Sequence, residues 1–522
     1  MELLTGVLPK SKFPKNFSNK AGDGESKVRM MGSQEAQSSL FSYSVNLEKR
    51  VRADHPLRRL SAVLDLKWVQ KEVAHCYGRN GNVSVDPVVL VKMMLLLFLD
   101  NVPSERELMA VIGERLDYLW FLGYSLDDEI PNHSVLSKAR TRWGKELFEN
   151  VFTRTVLQCV EKGLVSGERL HLDSSVIKAS ASKDSVLKTS PELVQALRAA
   201  YQEQESKLEQ VDPKAVNATH VSTTDPEATL TRGSDLRTQL AYKHHRAVDD
   251  AHGVITAVQT TSGQAGDARQ VPALLEQHEK NAGAKPGIAV GDQHYGTAEN
   301  YRYCQQQGIT THLKQTRHAM EAKGLIPPEK FIYEEQFDRY QCPAGKHLYY
   351  HQHKKDEQTL EYRIEKSEYC QQCSLRSQCT RSRSGRTVHR PVFAELVIAG
   401  RAQANSPEAR ESYRRRKCRI EGSFADATNN HGFKRARWRG LARQKIQDWL
   451  IAAAQNLRIL IKHLGKQLGG GQSATQNQPT CLNMLLRNSM RALCSMAHCI
   501  IRFFIPQAFP APAGLTLKFW CR

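Results

Sequence analysis

The chain has 522 residues, 74 Lys and Arg against 54 Asp and Glu, and a formal net charge of +20, with 40% apolar residues to build cores from. At roughly 150 residues per domain that length suggests about three domains. The charge points to a polyanionic partner, nucleic acid ahead of an anionic membrane surface, against the plain alternative of a basic surface with no role. A membrane span is not expected: the apolar run Val88–Asp100 is too short and is interrupted by Lys92. The N-terminus has no apolar core followed by a small-residue cleavage site, so it reads as no signal peptide. Twelve Cys spread over the chain form no dense disulfide framework, which suits a reducing cytoplasm.

Residues 1–45 are polar and without period, and are expected to be a flexible N-terminus. Residues 46–165 carry helical patterning, expected to be a helical DNA-binding domain. Asp86 and Pro87 suit a helix start, and Ser104 with Glu107 forms a capping box. The basic helix Ser134–Arg142 after a turn suits a helix-turn-helix, although any helical bundle looks the same. At Glu168 the period changes. "RLHLDSSVIKAS" reads as a strand, 183–240 as an insertion, and "AYKHHRAVDDAHGVITAVQTTSG" as two strands joined by the turn Asp250–Gly253. A helix from Asp267, a buried strand ending at Asp292, another helix and the strand "ITTHLK" complete a mixed α/β sheet over 166–315. Residues 316–405 form a basic, Cys-containing insertion, 406–466 a helical end of the core, and 467–522 a linker and a tail with no assigned role.

Three carboxylates stand out in this order: Asp173 in the first strand, Asp292 just past a buried strand, and Glu421 on the late helix. Ligands of α/β sheets gather at strand ends. Carboxylates converging there suit Mg²⁺ or Mn²⁺, and two such ions can clamp both oxygens of an in-line phosphoryl displacement. The bland readings are a local bond from Asp173 to Ser174 or Ser175 and a turn at Asp292, and Asp249, Asp250 and Asp267 compete by spacing alone. Between Tyr413 and Lys445 lie eleven Lys or Arg against only Glu421 and Asp426. On a regular helix Tyr413, Lys417, Glu421 and Thr428 share a face. Tyr413, Arg416, Lys417, Lys434, Arg435, Arg437 and Arg439 are candidates to contact DNA, and Trp438 either stacks on a base or packs in the core.

These segments together resemble a DDE transposase of bacterial insertion sequences, over most of residues 45–465. "DHPLRRLSAVLD", "DPVVLVKMMLLLFLDNVPSERELM" and "NHSVLSKAR" resemble the family's N-terminal domain. "HLDSSVIKASAS", "STTDPEATL", "LAYKHHRAVDDAHGVI", "AVGDQHYGTAENY" and "IEGSFADATNNHGFKRARWRG" resemble the branch with a long insertion before the last acid. The resemblance implies a ribonuclease-H-like core preceded by an all-α domain, with Asp173, Asp292 and Glu421 as the Asp-Asp-Glu triad. It further implies Mg²⁺- or Mn²⁺-dependent cleavage at terminal inverted repeats and strand transfer to target DNA, by at least a homodimer on double-stranded DNA, in a bacterial cytoplasm at the nucleoid. Many relatives carry Tyr, Arg, Glu and Lys around the last acid with two, three and six intervening residues. Here four residues separate Arg416 from Glu421, Lys417 holds the strict Arg position, and Thr428 replaces the Lys, with Lys434 a candidate substitute. A weakened or inactive relative that only binds DNA, or a metal-dependent nuclease, are the alternatives.

The insertion holds Cys342, then Cys370, Cys373 and Cys379. Cys-x2-Cys is a common zinc half-site, and four thiolates suit a closed tetrahedral structural Zn²⁺. The rest of the spacing is irregular, so unpaired thiols are the alternative, and His347 or His351 could substitute for one.

Overall fold

The computed structural model describes residues 45–78, 83–204, 215–232, 237–314, 324–354 and 359–468. The expected flexible N-terminus and the tail after Leu468 lie outside the described residues. In the helical region, α1 (Pro87–Leu99) starts where Asp86 accepts a hydrogen bond from the Val88 amide and Pro87 occupies a first-turn position. Ser104 caps the next helix by accepting from the Glu107 amide at 3.1 Å. The α1 helix is apolar on nearly every side because it is the centre of the bundle, with Met93, Met94, Leu95 and Leu96 fully buried. A second helix, α2 (Glu146–Glu161), closes the region.

A mixed sheet follows. Its strands are β1 (Arg169–Lys178), β2 (Thr229–Arg232), β3 (Thr238–Asp249), β4 (Ile255–Ser262), β5 (Ile288–Gly291) and β6 (Thr310–Leu313). β3 runs antiparallel to β1 with Arg246 opposite Asp173. β4 and the short β2 share the outer edge of β3, both antiparallel to it. On its other side β1 takes β5 in parallel, and β5 takes β6 in parallel. Parallel pairs need crossovers, which α3 (Val271–Ala282) and α4 (Ala298–Gln307) supply. β2 and the start of β3 lie within the stretch read from sequence as an insertion; in the structure they extend the core sheet.

The second insertion builds its own antiparallel sheet of β7 (Ile332–Glu334), β8 (Arg339–Gln341), β9 (His347–Lys354), β10 (Thr359–Ile364) and β11 (Thr387–Pro391). The chain then returns to the core through α5 (Ala394–Ala404), where Gln403 accepts from the Thr311 amide at 3.1 Å and its hydroxyl at 2.6 Å. Three helical segments end the described chain: α6 (Pro407–Arg416), α7 (Gly422–His431) and the long α8 (Leu441–Leu468). α8 buries Leu450, Ile451, Ala453 and Leu457 in one core with α1, α2 and β4. Its fully buried Asn456 accepts from the Ile255 amide at 2.9 Å and donates to the Ile255 carbonyl at 2.8 Å, acting as a partner strand for that edge. Among the described residues no helix is long and apolar enough to cross a membrane.

Candidate active site

Side chains alternate along a strand, so Asp173 and Ser175 of β1 point to one face. β5 lies beside β1 and ends at Gly291, which delivers Asp292 next to that face. Glu421 is the last residue of a π-helical turn (Lys417–Glu421) between α6 and α7. Arg416 joins two of the acids: its guanidinium lies 2.8 Å from Asp173 Oδ2 and 3.6 Å from Glu421 Oε1. Burial pushes the Asp173 carboxyl up to about 6; Arg416 and the Ser174 amide oppose the rise, while the charges of Asp292 and Glu421 add to it. Asp292 and Glu421 are therefore close enough to act on Asp173, although the three come from segments far apart in sequence. Both plain readings also hold locally, since Asp173 accepts from the Ser174 amide at 2.8 Å and Asp292 from the His294 amide at 3.0 Å.

In front of Arg416 opens a cleft of about 310 Å³, walled by Asp292, Lys314, Tyr413, Arg416, Lys417 and Glu421. The Lys314 ammonium sits 4.1 Å over the Tyr413 ring. The straight-helix expectation put Lys417 beside the acid, in the place of the strict Arg. The π turn corrects this. It accommodates one more residue than an α-helical turn would, so Arg416 keeps its contact with Glu421 across four intervening residues, and Lys417 lies exposed on the cleft wall. Thr428 does not point a cation anywhere: its hydroxyl donates to the Phe424 carbonyl at 2.8 Å. The Lys434 ammonium instead donates to Ser175 Oγ at 2.6 Å. It is held there because the segment after α7 bonds to the end of β1, Lys178 N–H to the Lys434 carbonyl at 3.0 Å and Ala436 N–H to the Lys178 carbonyl at 2.8 Å. Ser175 is two residues from Asp173, about 7 Å along the strand.

Two of the expected DNA-contacting side chains turn inward. Arg437 donates to the carbonyls of Leu97 and Val102 and to Asn101 Oδ1, and lies 4.6 Å over Phe98. Trp438 packs edge-on against Phe98 and under the Arg140 guanidinium at 3.9 Å. Both pin the helical region to the core. Arg140, on the basic helix, is itself buried and paired with Glu105. Arg435 and Arg439 are exposed, Arg439 donating to the Ser180 carbonyl at 3.2 Å.

Spacing alone did not single out Asp250. It receives His171 Nε2 at 3.0 Å, Arg169 at 3.2 Å and Arg415 at 2.6 Å, with Arg419 at 3.8 Å. It thus ties the start of β1 to α6 and the π turn, and the alternation that points His171 to the Asp173 face of β1 was the available signal. Burial raises its carboxyl, and the bonds from His171 and Arg415 more than offset that and hold it below the usual range. The other competing acids are occupied elsewhere: Asp249 accepts from the Gly167 and Ala251 amides, and Asp267 pairs with Lys243. Beside Asp173, across the β1–β3 pairing, the wholly buried Arg246 donates to His244, Ser423 and Gln455 and stacks at 4.2 Å on Phe424. Burial pulls its guanidinium down to about 9. Among the described residues no group of three His, Cys, Asp or Glu side chains is already arranged to hold a metal ion. At the acids the guanidinium of Arg416 accounts for this by bridging two of them.

Comparison with protein families places a transposase domain of the DUF772 family on residues 45–142 and a transposase DDE domain on residues 341–461. The second match contains Arg416, Glu421 and Lys434, whereas Asp173 and Asp292 lie outside both. No curated protein matches. Among solved structures the chain is similar to a piggyBac transposase in a synaptic complex with hairpin DNA, at 9% identity over 80% of each chain and a TM-score of 0.26. That likeness is too distant to carry an argument. The domain matches and the mixed α/β architecture are what the sequence led us to expect.

Proposed function

We propose that this transposase binds the terminal inverted repeats of a mobile element and carries out divalent-metal-dependent DNA cleavage followed by strand transfer, with Asp173, Asp292 and Glu421 as its catalytic acids. The observation that supports the reading is that Arg416 pairs with Asp173 of β1 and Glu421 of the π turn, and that Arg416 and Glu421 line one cleft with Asp292 at the end of β5. The order β4–β3–β1–β5–β6, with the first three strands antiparallel and the last two parallel to β1, supports a ribonuclease-H-like core. Three carboxylates without sulfur are a donor set suited to Mg²⁺ or Mn²⁺. Ions held there would neutralise charge on the attacking and leaving oxygens of the phosphoryl transfer.

The chain's own groups do the rest. Arg416 holds Asp173 and Glu421 in register and balances their charge while the site is free of substrate. Lys434, on the Asp173 face of β1, contacts a DNA phosphate next to the scissile one and takes the role that Thr428 cannot. Lys314, Lys417, Arg435 and Arg439 grip the backbone on either side. Water first hydrolyses the element's end, leaving a 3′-hydroxyl; that hydroxyl then attacks a target phosphodiester, displacing its 3′ oxygen. Two ends must be brought together, so a homodimer on DNA is the working assembly.

The test is cleavage of a duplex carrying the element's terminal repeats, with and without Mg²⁺, by the parent protein and by Asp173→Ala, Asp292→Ala and Glu421→Ala. We expect each variant to bind the repeat and lose cleavage. Cleavage that persists in any of the three removes that residue from the triad. Pre-cut ends offered with a target plasmid separate a transposase, which joins them, from a nuclease, which does not.

A further inference from the structure

The sheet β7–β11 buries few apolar side chains. Its core is Phe331, Tyr340, Leu348, Tyr362, Ile364 and Val388. So small a core needs a staple, which in small modules is a disulfide or a metal. The four cysteines of this module are all free thiols. They come from three places: Cys342 on the loop after β8, Cys370 and Cys373 on a short helix and its exit, and Cys379 at the end of another. The fold nevertheless brings all four to the wall of one cavity of about 30 Å³. That space suits a single ion rather than an organic ligand.

Two backbone amides point at the sulfurs. The Lys346 amide donates to Cys342 Sγ at 3.3 Å, and the Arg386 amide donates to Cys370 Sγ at 3.4 Å. The first of these requires the tight turn Cys342–Lys346, whose Gly345 adopts φ +75°; a side chain there would be strained. At Gly385, φ +87°, an added Cβ would fall 2.5 Å from Ile364 and 3.3 Å from Cys370 Sγ, so a glycine keeps that side of the sulfur open. Lys346, Arg376 and Arg386 line the same cavity. The Arg386 guanidinium donates to the Cys379 and Ile326 carbonyls at 2.9 and 3.0 Å. These cations offset the two negative charges that four thiolates and one divalent ion leave. His347 is turned toward Glu334 at 3.6 Å and His351 is exposed on β9, so the histidines weighed as substitutes are elsewhere.

We infer that Cys342, Cys370, Cys373 and Cys379 bind one structural Zn²⁺ that staples the β7–β11 module. Neutral thiols have no reason to crowd to ligand distance; bonds of about 2.3 Å to zinc would draw the sulfurs in from the cavity wall. The site is closed by four protein ligands, so it supports the module and takes no part in phosphoryl transfer.

The full-length protein, purified without chelator, is assayed for metal by mass spectrometry. About one zinc per chain is expected, falling at least fivefold in Cys370→Ser/Cys373→Ser. Should that variant fail to fold, the parent protein is reconstituted with Co²⁺ and its thiolate-to-cobalt charge-transfer band is read. A band with tetrahedral d–d transitions supports the site. Zinc-free protein that takes up no cobalt, and whose four thiols react freely with a thiol reagent while its fold persists, overturns it. Neither readout depends on DNA cleavage, so the zinc site and the transposase reading fail separately.

Discussion

Lys434 and Arg437 show how little a residue type says about its task. They stand three positions apart in one basic run, yet Lys434 lies exposed beside Ser175 while Arg437 spends its donors on backbone carbonyls of the helical region. Each phosphate contact lowers the slope of log affinity against log salt by about 0.9. Lys434→Ala is therefore expected to weaken repeat binding uniformly and to reduce that slope by about one. Arg437→Ala should leave the slope unchanged and cost about 2–3 kcal/mol of stability in denaturant unfolding, because several carbonyls lose a charged donor. The opposite pattern, a changed slope at Arg437 with stability intact, would put that side chain on DNA.

At the scale of elements, the π turn is the feature that reconciles an irregular motif with a regular site. Deleting Lys417 leaves three residues between Arg416 and the acid, so an ordinary α-helical turn keeps both on one face. We expect cleavage within about tenfold of the parent, a loss of under about 1.4 kcal/mol in the barrier. An alanine inserted between Ile420 and Glu421 turns the acid by roughly 100° about the helix axis and should abolish cleavage. A deletion as damaging as Asp173→Ala would contradict this account of the turn. The strands and helices of the core were legible in the sequence because alternation, caps and glycine turns are local signals, as at Asp86, Ser104 and Gly253. The three acids were proposed from the sequence because each sits at a strand, a strand end or within a basic run. The π turn, the inward turn of Arg437 and Trp438, and the Asp250 hub were not, because each depends on what a distant segment presents. Phe98 decides the fate of Trp438, and it lies more than three hundred residues away.

For the molecule as a whole, the sheet and α8 enclose ionisable groups that must fold neutral. Burial holds His245 down to about 3 and His278 to about 4, each ring bonded to a threonine hydroxyl at 2.8 Å. Unfolding frees both to protonate near their ordinary value of about 6.5. Stability is therefore fully present above that pH and falls as pH drops below it. Each histidine costs about 2 kcal/mol between pH 7 and pH 5, roughly 4 kcal/mol for the pair. Chemical unfolding at the two pH values reads this, and a doubled Asn variant at these positions should flatten the dependence; an unchanged slope would mean that the histidines are not the source. The core claim, that the fold gathers three carboxylates into one divalent-metal site, has a direct measurement in anomalous scattering from crystals of the protein bound to cleaved repeat DNA and Mn²⁺. The account predicts manganese peaks within about 2–2.5 Å of oxygens of Asp173, Asp292 and Glu421. Manganese bound elsewhere, with these acids unliganded in a complex competent for strand transfer, would contradict it.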